Sequence, residues 1–600
     1  MPPVLKALTH VTRDEERDVE LRPLQFFGLM RRIFGYARPH RRLILILCGL
    51  TITRSIQLPL VAHILSSVIS GPIARGDFRG AMLGAGVFTA LAAFTQITFG
   101  YRVLYALELG ELVVRDIRNA IFAHLQDLTA SFFNKMKVGR IISRITSDLE
   151  AIRLGVQDIV FMSIVGIGQI IFASILMFRA DRVLFSIILL MGPIIWGLNR
   201  HFSRQLLTAQ REASESFSRV TATLAESVTG IRVTQGFVRE EANSEIFRDL
   251  VLDHSRYNMN AARTGAIFLP LLELNSQVFI GLLLLLGGWR VLHHQTSIAS
   301  IVEFFFQSTL FFDPIRNLST QYTQAFTAIV GAERVFRLLD TAPDWTDPAS
   351  AQPIGQLRGQ VEFRDVSFGY DPKRLILRNI SFEAQPGKTI ALVGHTGSGK
   401  TSITNLITKA YLPTSGSLLV DGRDILEIAT PSLRKHLGVV QQANFLFEGS
   451  VLDNIRFTRP EATLAEVVET ARKLDCLDLF ETLPDGWDTQ VGESGNALSL
   501  GQRQLVCFAR ALLADPRIFI LDEATSSIDA ITEARLQASL ALLLRGRTSF
   551  VIAHRLSTIR QADLILVLHD GRIVERGTHD DLLAMSGAYH ELYTQFVRAD

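Results

Sequence analysis

Six hundred residues exceed what one hydrophobic core organises, so two or more domains are expected. Against 61 Lys and Arg stand 59 Asp and Glu, a formal net charge of +2 that excludes a bulk electrostatic case for nucleic-acid binding. Apolar residues make up 48% of the chain beside 20% charged ones, so they must be unevenly spread. The three cysteines, Cys48, Cys476 and Cys507, have no ligand spacing; they argue for buried reduced thiols and against a disulfide or metal framework.

Residues 1–24 are polar and charged, without the apolar run and small-residue cleavage site of a secretory leader, and read as a polar tail. Residues 25–340 read as a membrane domain. Crossing the hydrocarbon layer as helix takes about 20 apolar residues, and candidate spans lie at about 43–65, 81–101, 157–178, 183–199, 265–288 and 297–318. The fourth is interrupted by Gly192–Pro193 and the sixth by polar residues, so a count of five or seven stays open beside six. RRIFGYARPHRR (31–42) precedes the first span, whereas the loops after spans one, three and five carry few positive charges. That bias places the N-terminus and the long connections in the cytoplasm, with a multi-pass chain in the cell's inner (plasma) membrane.

Those connections are patterned as helices. ELVVRDIRNAIFAHLQDL (111–128) and the stretch ending SESFSRVTATLAESVTGIRVTQGF (214–237) repeat apolar residues at three and four, so the helices are expected to continue past the membrane. Either they are solvated stalks, or they dock on a cytoplasmic domain and transmit its motion. Polar residues inside the spans include Arg54, Gln57, Gln96, Glu273, Asn275, Gln277, Glu303 and Gln307. Charge is unfavourable in hydrocarbon, so Arg54 and Glu273 are expected to line a translocation cavity, or else to pair with each other or lie nearer the interface.

TAPDWTDPASAQPIGQLRGQ (341–360) is rich in turn formers; 341–358 reads as a linker and 359–600 as a second, α/β domain. VEFRDVSFGY (361–370) alternates as a strand, and the apolar strand TIALVG runs into GHTGSGKTS (394–402). Gly394, Gly399, Lys400 and Thr401 satisfy G-x-x-x-x-G-K-[ST] in strand–loop–helix context. Backbone N–H groups of residues 394–402, His395, Thr396, Gly397, Ser398 and Ser402 among them, then wrap phosphates; Lys400 adds charge, and the Thr401 hydroxyl can ligate Mg²⁺. RIFILDEATSSIDA (517–530) is a buried parallel strand ending in Asp522 and Glu523. Asp522 suits a Mg²⁺ shell and Glu523 the polarisation of an attacking water. Set against this, an acidic turn at a strand end is the bland reading, and the phosphate loop outweighs it.

The phosphate loop, ALSLGQRQL (497–505), LDEATSSID and VIAHRLST (551–558), in this order and spacing, resemble an ATP-binding-cassette (ABC) nucleotide-binding domain. SFFNKMKVGRIISRITSDLEAI (131–152) and LAESVTGIRVTQGF (224–237) resemble the first and second cytoplasmic coupling regions of the exporters of that superfamily. The resemblance implies a six-span helical exporter domain followed by an α/β phosphate-loop domain, powered by ATP with Mg²⁺. It implies a dimer in which two ATP molecules are sandwiched head to tail. It also implies that Tyr370 stacks on adenine and that Gln442 senses Mg²⁺ and the γ-phosphate, though Gln441 replaces the usual proline. His554 would hold the γ-phosphate and the water, Asp529 would shape the interface, and Ser499, Gly501 and Gln502 would reach the opposite ATP. Strand-end packing is the alternative role for Tyr370.

One position departs from the family pattern LSGGQ: Leu500 stands at its first glycine. A branched side chain there obstructs close approach to a partner's ATP. The hydrolytic set Lys400, Gln442, Asp522, Glu523 and His554 is intact. A heterodimer whose partner supplies an ordinary signature is therefore favoured over a homodimer in which Leu500 points aside. Amphipathic drugs, lipids or peptides are the expected cargo. An importer on the same fold, a lipid flippase, an ATP-gated channel and a soluble cassette ATPase are the rivals; the last would lack the spans, and a channel usually loses the carboxylate that Glu523 supplies.

Overall fold

The computed structural model describes residues 23–371, 373–522, 530–553 and 556–599. The chain divides into two compact units, one running through Gln126 and then from Val138–Thr341, the other made of Asp127–Lys137 and of the chain from Ala342 onward.

The first unit is helical. Its elements are α1 (Pro23–Ala37), α2 (Arg41–Val68), α3 (Phe78–Asp127), then, after α4 (Ala130–Lys135) of the other unit, α5 (Val138–Ala180), α6 (Arg182–Thr229), α7 (Ile231–Gly236), α8 (Glu240–Leu292) and α9 (Ile298–Leu339). Among the described residues, five stretches are long and apolar enough to cross a membrane: Gly28–Ile73, α3, α5, α8 and Ile298–Asn317. The expected fourth span falls on α6, where the apolar part, Arg182–Ile194, is shorter than a full crossing and the helix continues through Pro193. α3, with 50 residues, extends about 75 Å at 1.5 Å per residue, far beyond a ~30 Å hydrocarbon layer.

Turns between spans are made by caps. Asp181 starts α6 by accepting from Val183 N (2.8 Å) and Leu184 N (3.1 Å), and Ser297 starts α9 by accepting from Ser300 N. Polar side chains sit mostly inside. Gln307, fully buried, donates to the Pro59 carbonyl (2.8 Å) and to Glu303 Oε1 (2.9 Å), and Glu303 Oε2 lies 3.0 Å from His63 Nδ1. Arg54 and Glu273 do not pair: Glu273 meets Arg316 at 2.7 Å, while Arg54 reaches the Thr95 carbonyl at 3.4 Å. Gln96 is exposed.

The second unit holds two sheets. β1 (Val361–Phe368), β2 (Leu377–Ala384), β4 (Ser415–Val420) and β5 (Arg423–Asp424) form an antiparallel sheet ordered β2-β1-β4-β5. β3 (Thr389–Val393), β6 (Leu437–Val440), β7 (Ile518–Asp522), β8 (Thr548–Ile552), β9 (Leu564–His569) and β10 (Arg572–Gly577) form the other, ordered β10-β9-β3-β8-β7-β6, parallel except at β10. Covered on both faces, β3, β7 and β8 are almost continuously buried.

Residues 342–360 have little regular structure but are tied down. Gln352 N donates to Glu427 O and Ile354 N to Ser432 Oγ (2.7 Å). Lys409, 1% exposed, sends its ammonium to Asp347 Oδ1 (2.8 Å) and Ile428 O (2.6 Å). Burial alone would raise the Asp347 carboxyl, but hydrogen bonds from Lys409 and Thr430 outweigh it and hold it below the usual carboxylate range. Asp347→Ala leaves that ammonium without its carboxylate and should destabilise the unit by about 2–3 kcal/mol, read by thermal unfolding of Trp345 and Trp487 fluorescence. Since the folded carboxyl titrates lower than the unfolded one (about 4), the wild-type advantage should be full above that pH. It should fade as pH falls through the lowered value; an advantage that grows in acid would refute the assignment.

Candidate functional site

In a parallel sheet ligands gather beyond the carboxyl ends of the strands. Register aligns three of those ends: Leu392 of β3 pairs with Ile552 of β8, which pairs with Asp522 of β7. From β3 the chain turns through Gly394, Gly397 and Gly399 (φ +151°, +86° and +105°) into α10 (Lys400–Ile407). Glycine is demanded twice over at two of these positions. A Cβ on Gly394 would lie 2.3 Å from the Leu568 carbonyl oxygen, and one on Gly399 2.5 Å from the Leu377 side chain.

The loop holds its lysine inward. Lys400 Nζ donates to Gly394 O (2.7 Å) and His395 O (3.0 Å), and burial pulls its pKa down against the attraction of Asp522. Ser398 Oγ is buried with no hydrogen-bond partner, while His395, Thr396 and Thr401 are exposed. Three glycine turns, an orphaned hydroxyl, a lysine bonded to two loop carbonyls and a helix N-terminus fit a polyphosphate. Thr401 and Asp522 supply oxygen donors of the hard type that Mg²⁺ takes, and Gln442 is exposed just beyond β6. Glu523, Asp529 and His554 lie outside the described residues.

At the far end of the unit's motif set, α11 (Leu500–Leu513) begins at Ser499. Ser499 Oγ accepts from Gln502 N (3.2 Å), and Gln502 Oε1 accepts from Ser499 N (2.8 Å), a reciprocal capping box. Neither Leu500 nor Gly501 has a positive φ, so the backbone does not require glycine at residue 500. Leu500 is half-buried and Gly501 buried. The substitution leaves the helix start intact.

Among the described residues, Tyr370 makes four contacts. Its hydroxyl lies 3.1 Å from Ser402 Oγ and accepts from Asn405 Nδ2 (3.2 Å), both on α10; its ring, 42% exposed, meets Phe368 and Tyr411 edge-on at 5.0 Å. Tyr411 was not marked by any motif. Its hydroxyl accepts from Asn134 Nδ2 (2.7 Å), on the segment Asp127–Lys137 that belongs to this unit, and Lys135 lies 3.6 Å from Asp344. Burial raises the Tyr411 phenol, with Asn134 opposing it. Asn134, Tyr411 and Tyr370 thus form a line from the first connection to α10. The resemblance of 131–152 to a coupling region marked the segment that holds Asn134, but nothing in the sequence marked Tyr411 as its partner.

Residues 43–315 match the family model described as the ABC transporter transmembrane region, and residues 377–526 match that described as ABC transporter. The chain is 35% identical over 566 residues to the uncharacterized ABC transporter ATP-binding protein YknV of Bacillus subtilis (strain 168), covering 93% of both chains. The chain belongs to the ABC transporter family. It is also 34% identical over 492 residues, 82% of each chain, to the ATP-dependent lipid A-core flippase of Syntrophus aciditrophicus (strain SB). A bacterial Atm1-family ABC exporter solved with ATP bound superposes with a TM-score of 0.76 at 26% identity, over 94% of this chain and 98% of that one. This ABC protein is therefore an exporter-type, membrane-spanning half-transporter, an ATPase coupled to transport. Gly394→Ala should weaken ATP binding more than tenfold, as the Cβ forces the loop off the Leu568 carbonyl. Titration with a fluorescent ATP analogue checks it, and wild-type affinity would contradict the geometry.

Proposed function

We propose that the chain is one half of a dimeric exporter of amphipathic substrates in the cell's inner membrane, with nucleotide unit and N-terminus cytoplasmic, and that its partner is a different chain. Leu500 carries the reading. Because residue 500 needs no left-handed backbone, its side chain acts only on clearance at the N-terminus of α11, the end that would face a partner's γ-phosphate. In a homodimer both sites would meet Leu500; in a heterodimer one site escapes it. That site is built on this chain's Lys400 at the β and γ phosphates, Thr401, Asp522 and Gln442 around Mg²⁺, Glu523 polarising water, and His554 holding its geometry. Tyr370 stacks on adenine, and Ser499, Gly501 and Gln502 serve the opposite ATP.

Exposed apolar residues support a subunit partner. Val233, Phe237 and Val238, at and after α7, are exposed in the membrane unit, and Phe445, Phe447 and Phe457 are exposed in the nucleotide unit. A second subunit's corresponding surfaces would cover each set. Tighter ATP binding to the closed arrangement than to the open one supplies the free-energy difference that moves the helices. The flippase relative supports lipid-like cargo.

Purified alone, the chain should hydrolyse ATP poorly, and Leu500→Gly should raise the rate about tenfold, the effect of regaining about 1–2 kcal/mol of phosphate contact at a helix start. A wild-type chain that alone hydrolyses ATP and transports at full rate would refute the heterodimer. Tyr411→Phe, which deletes the hydroxyl bonded to Asn134 but keeps the ring, should leave ATP affinity within about twofold, since the lost neutral hydrogen bond is remote from the phosphates. Transport per ATP in proteoliposomes should fall; unchanged coupling would exclude that line of contacts as a route.

A further inference from the structure

Between α2 and α3 the membrane unit holds two arginines that the described residues leave largely unsatisfied. Arg102 is 2% exposed, and its Nε and Nη1 are buried with no hydrogen-bond acceptor. Arg54 makes a single long bond, to the Thr95 carbonyl at 3.4 Å. Both guanidiniums gather on one ring: Arg54 Cζ lies 4.1 Å and Arg102 Cζ 5.6 Å from the centroid of Phe99. Cation–π attraction orients them but gives them no acceptor, and their like charges repel. Asp158 acts on Arg102 through space but hydrogen-bonds neither arginine, and it is shared with Arg153. The pair therefore keeps positive charge and donor capacity over. A buried acceptor, Gln57 Oε1, also lacks a partner, although Gln57 Nε2 donates to Thr98 Oγ1 at 3.3 Å.

Depth adds a second constraint. The span expected at about 81–101 ends next to Arg102, so the sequence reading puts this residue near the end of the apolar run. Arg54 starts deeper, in the middle of the first span, and reaches toward the same level at Phe99. Beside the buried stripe Thr95, Thr98 and Arg102 on α3 runs an exposed apolar one, Ile97, Tyr101 and Leu104. Charge-bearing forks near the end of the apolar run and an apolar wall beside them match a molecule with one anionic end and one apolar end.

We propose that Arg54 and Arg102, with Phe99 between them, bind the phosphoryl or carboxylate head of an anionic amphiphile, so that this transporter selects its substrate for negative charge. The assignment rests on the transporter reading and names its substrate class.

Equilibrium binding of radiolabelled dodecyl phosphate to the full-length protein in dodecyl maltoside micelles tests it. Saturable binding is expected, displaced by unlabelled dodecyl phosphate and not by dodecyltrimethylammonium. Arg102→Gln and Arg54→Gln should each weaken it about tenfold or more, the loss of one charge-assisted contact, and Arg102→Lys should weaken it less than Arg102→Gln. Equal displacement by the cation, or unchanged binding in both glutamine variants, overturns the site; should Arg102→Gln fail to fold, Arg54→Gln decides alone. Displacement by phenyl phosphate as effective as by dodecyl phosphate overturns the amphiphile assignment in favour of a soluble anion. ATP binding by the same preparation separates the failures: ATP bound without dodecyl phosphate overturns the anion site only, and neither bound overturns the transporter reading with it.

Discussion

The structure depends on one turn, where β3 passes through three left-handed glycines into α10. Parallel register brings the ends of β3, β8 and β7 level, and the turn aims backbone donors and the Lys400 ammonium at the space beyond them. The lysine bonds two carbonyls of its own loop, and Ser398 keeps a hydroxyl without a partner. Such a loop is an anion receptor whose donors await a better acceptor than the backbone. Everything proposed downstream, from hydrolysis to helix motion, needs that receptor to hold a triphosphate.

The chain solves two solvent problems separately. Its membrane unit leaves apolar side chains outward and draws several polar ones inward, as where buried Gln307 donates to Glu303 and to the Pro59 carbonyl. The nucleotide unit buries its apolar residues on both faces of a sheet. Residues 127–137, although they lie between two membrane-unit segments in the sequence, pack with the nucleotide unit, and residues 342–360 are fastened to it by the Asp347–Lys409 pair. The chain thus passes between the two units three times, at 126/127, 137/138 and 341/342.

Local signals in the sequence were the legible ones. A phosphate loop is a short run of glycines and one lysine, and long apolar runs announce spans by length alone, so both were readable without tertiary information. The fourth span was ambiguous for a physical reason: Gly192–Pro193 and the polar residues beyond shorten its apolar run, while helix geometry carries on regardless. Residues 341–358 read as a linker because Pro, Gly and polar residues dominate. Their ties to Lys409 and Ser432 come from positions 62 and 78 residues away, which no local pattern reveals. The bond between Asn134 and Tyr411, 277 residues apart, was invisible for the same reason. Leu500 was visible as a departure, but only the backbone angles show that the helix start does not need glycine there.

The central claim is that nucleotide held at residues 394–401 changes the state of the membrane unit. Cys48 on α2 is half-buried, whereas Cys476 and Cys507 are buried and burial pushes both of those thiols up, so Cys48 is the accessible reporter of the three. The direct measurement is the rate at which a membrane-permeant maleimide modifies Cys48 with and without ATP. The account requires that rate to change several-fold in the wild-type assembly and to be indifferent to ATP in Lys400→Met. Equal rates with and without ATP in the wild type, under conditions where ATP is bound, would contradict it.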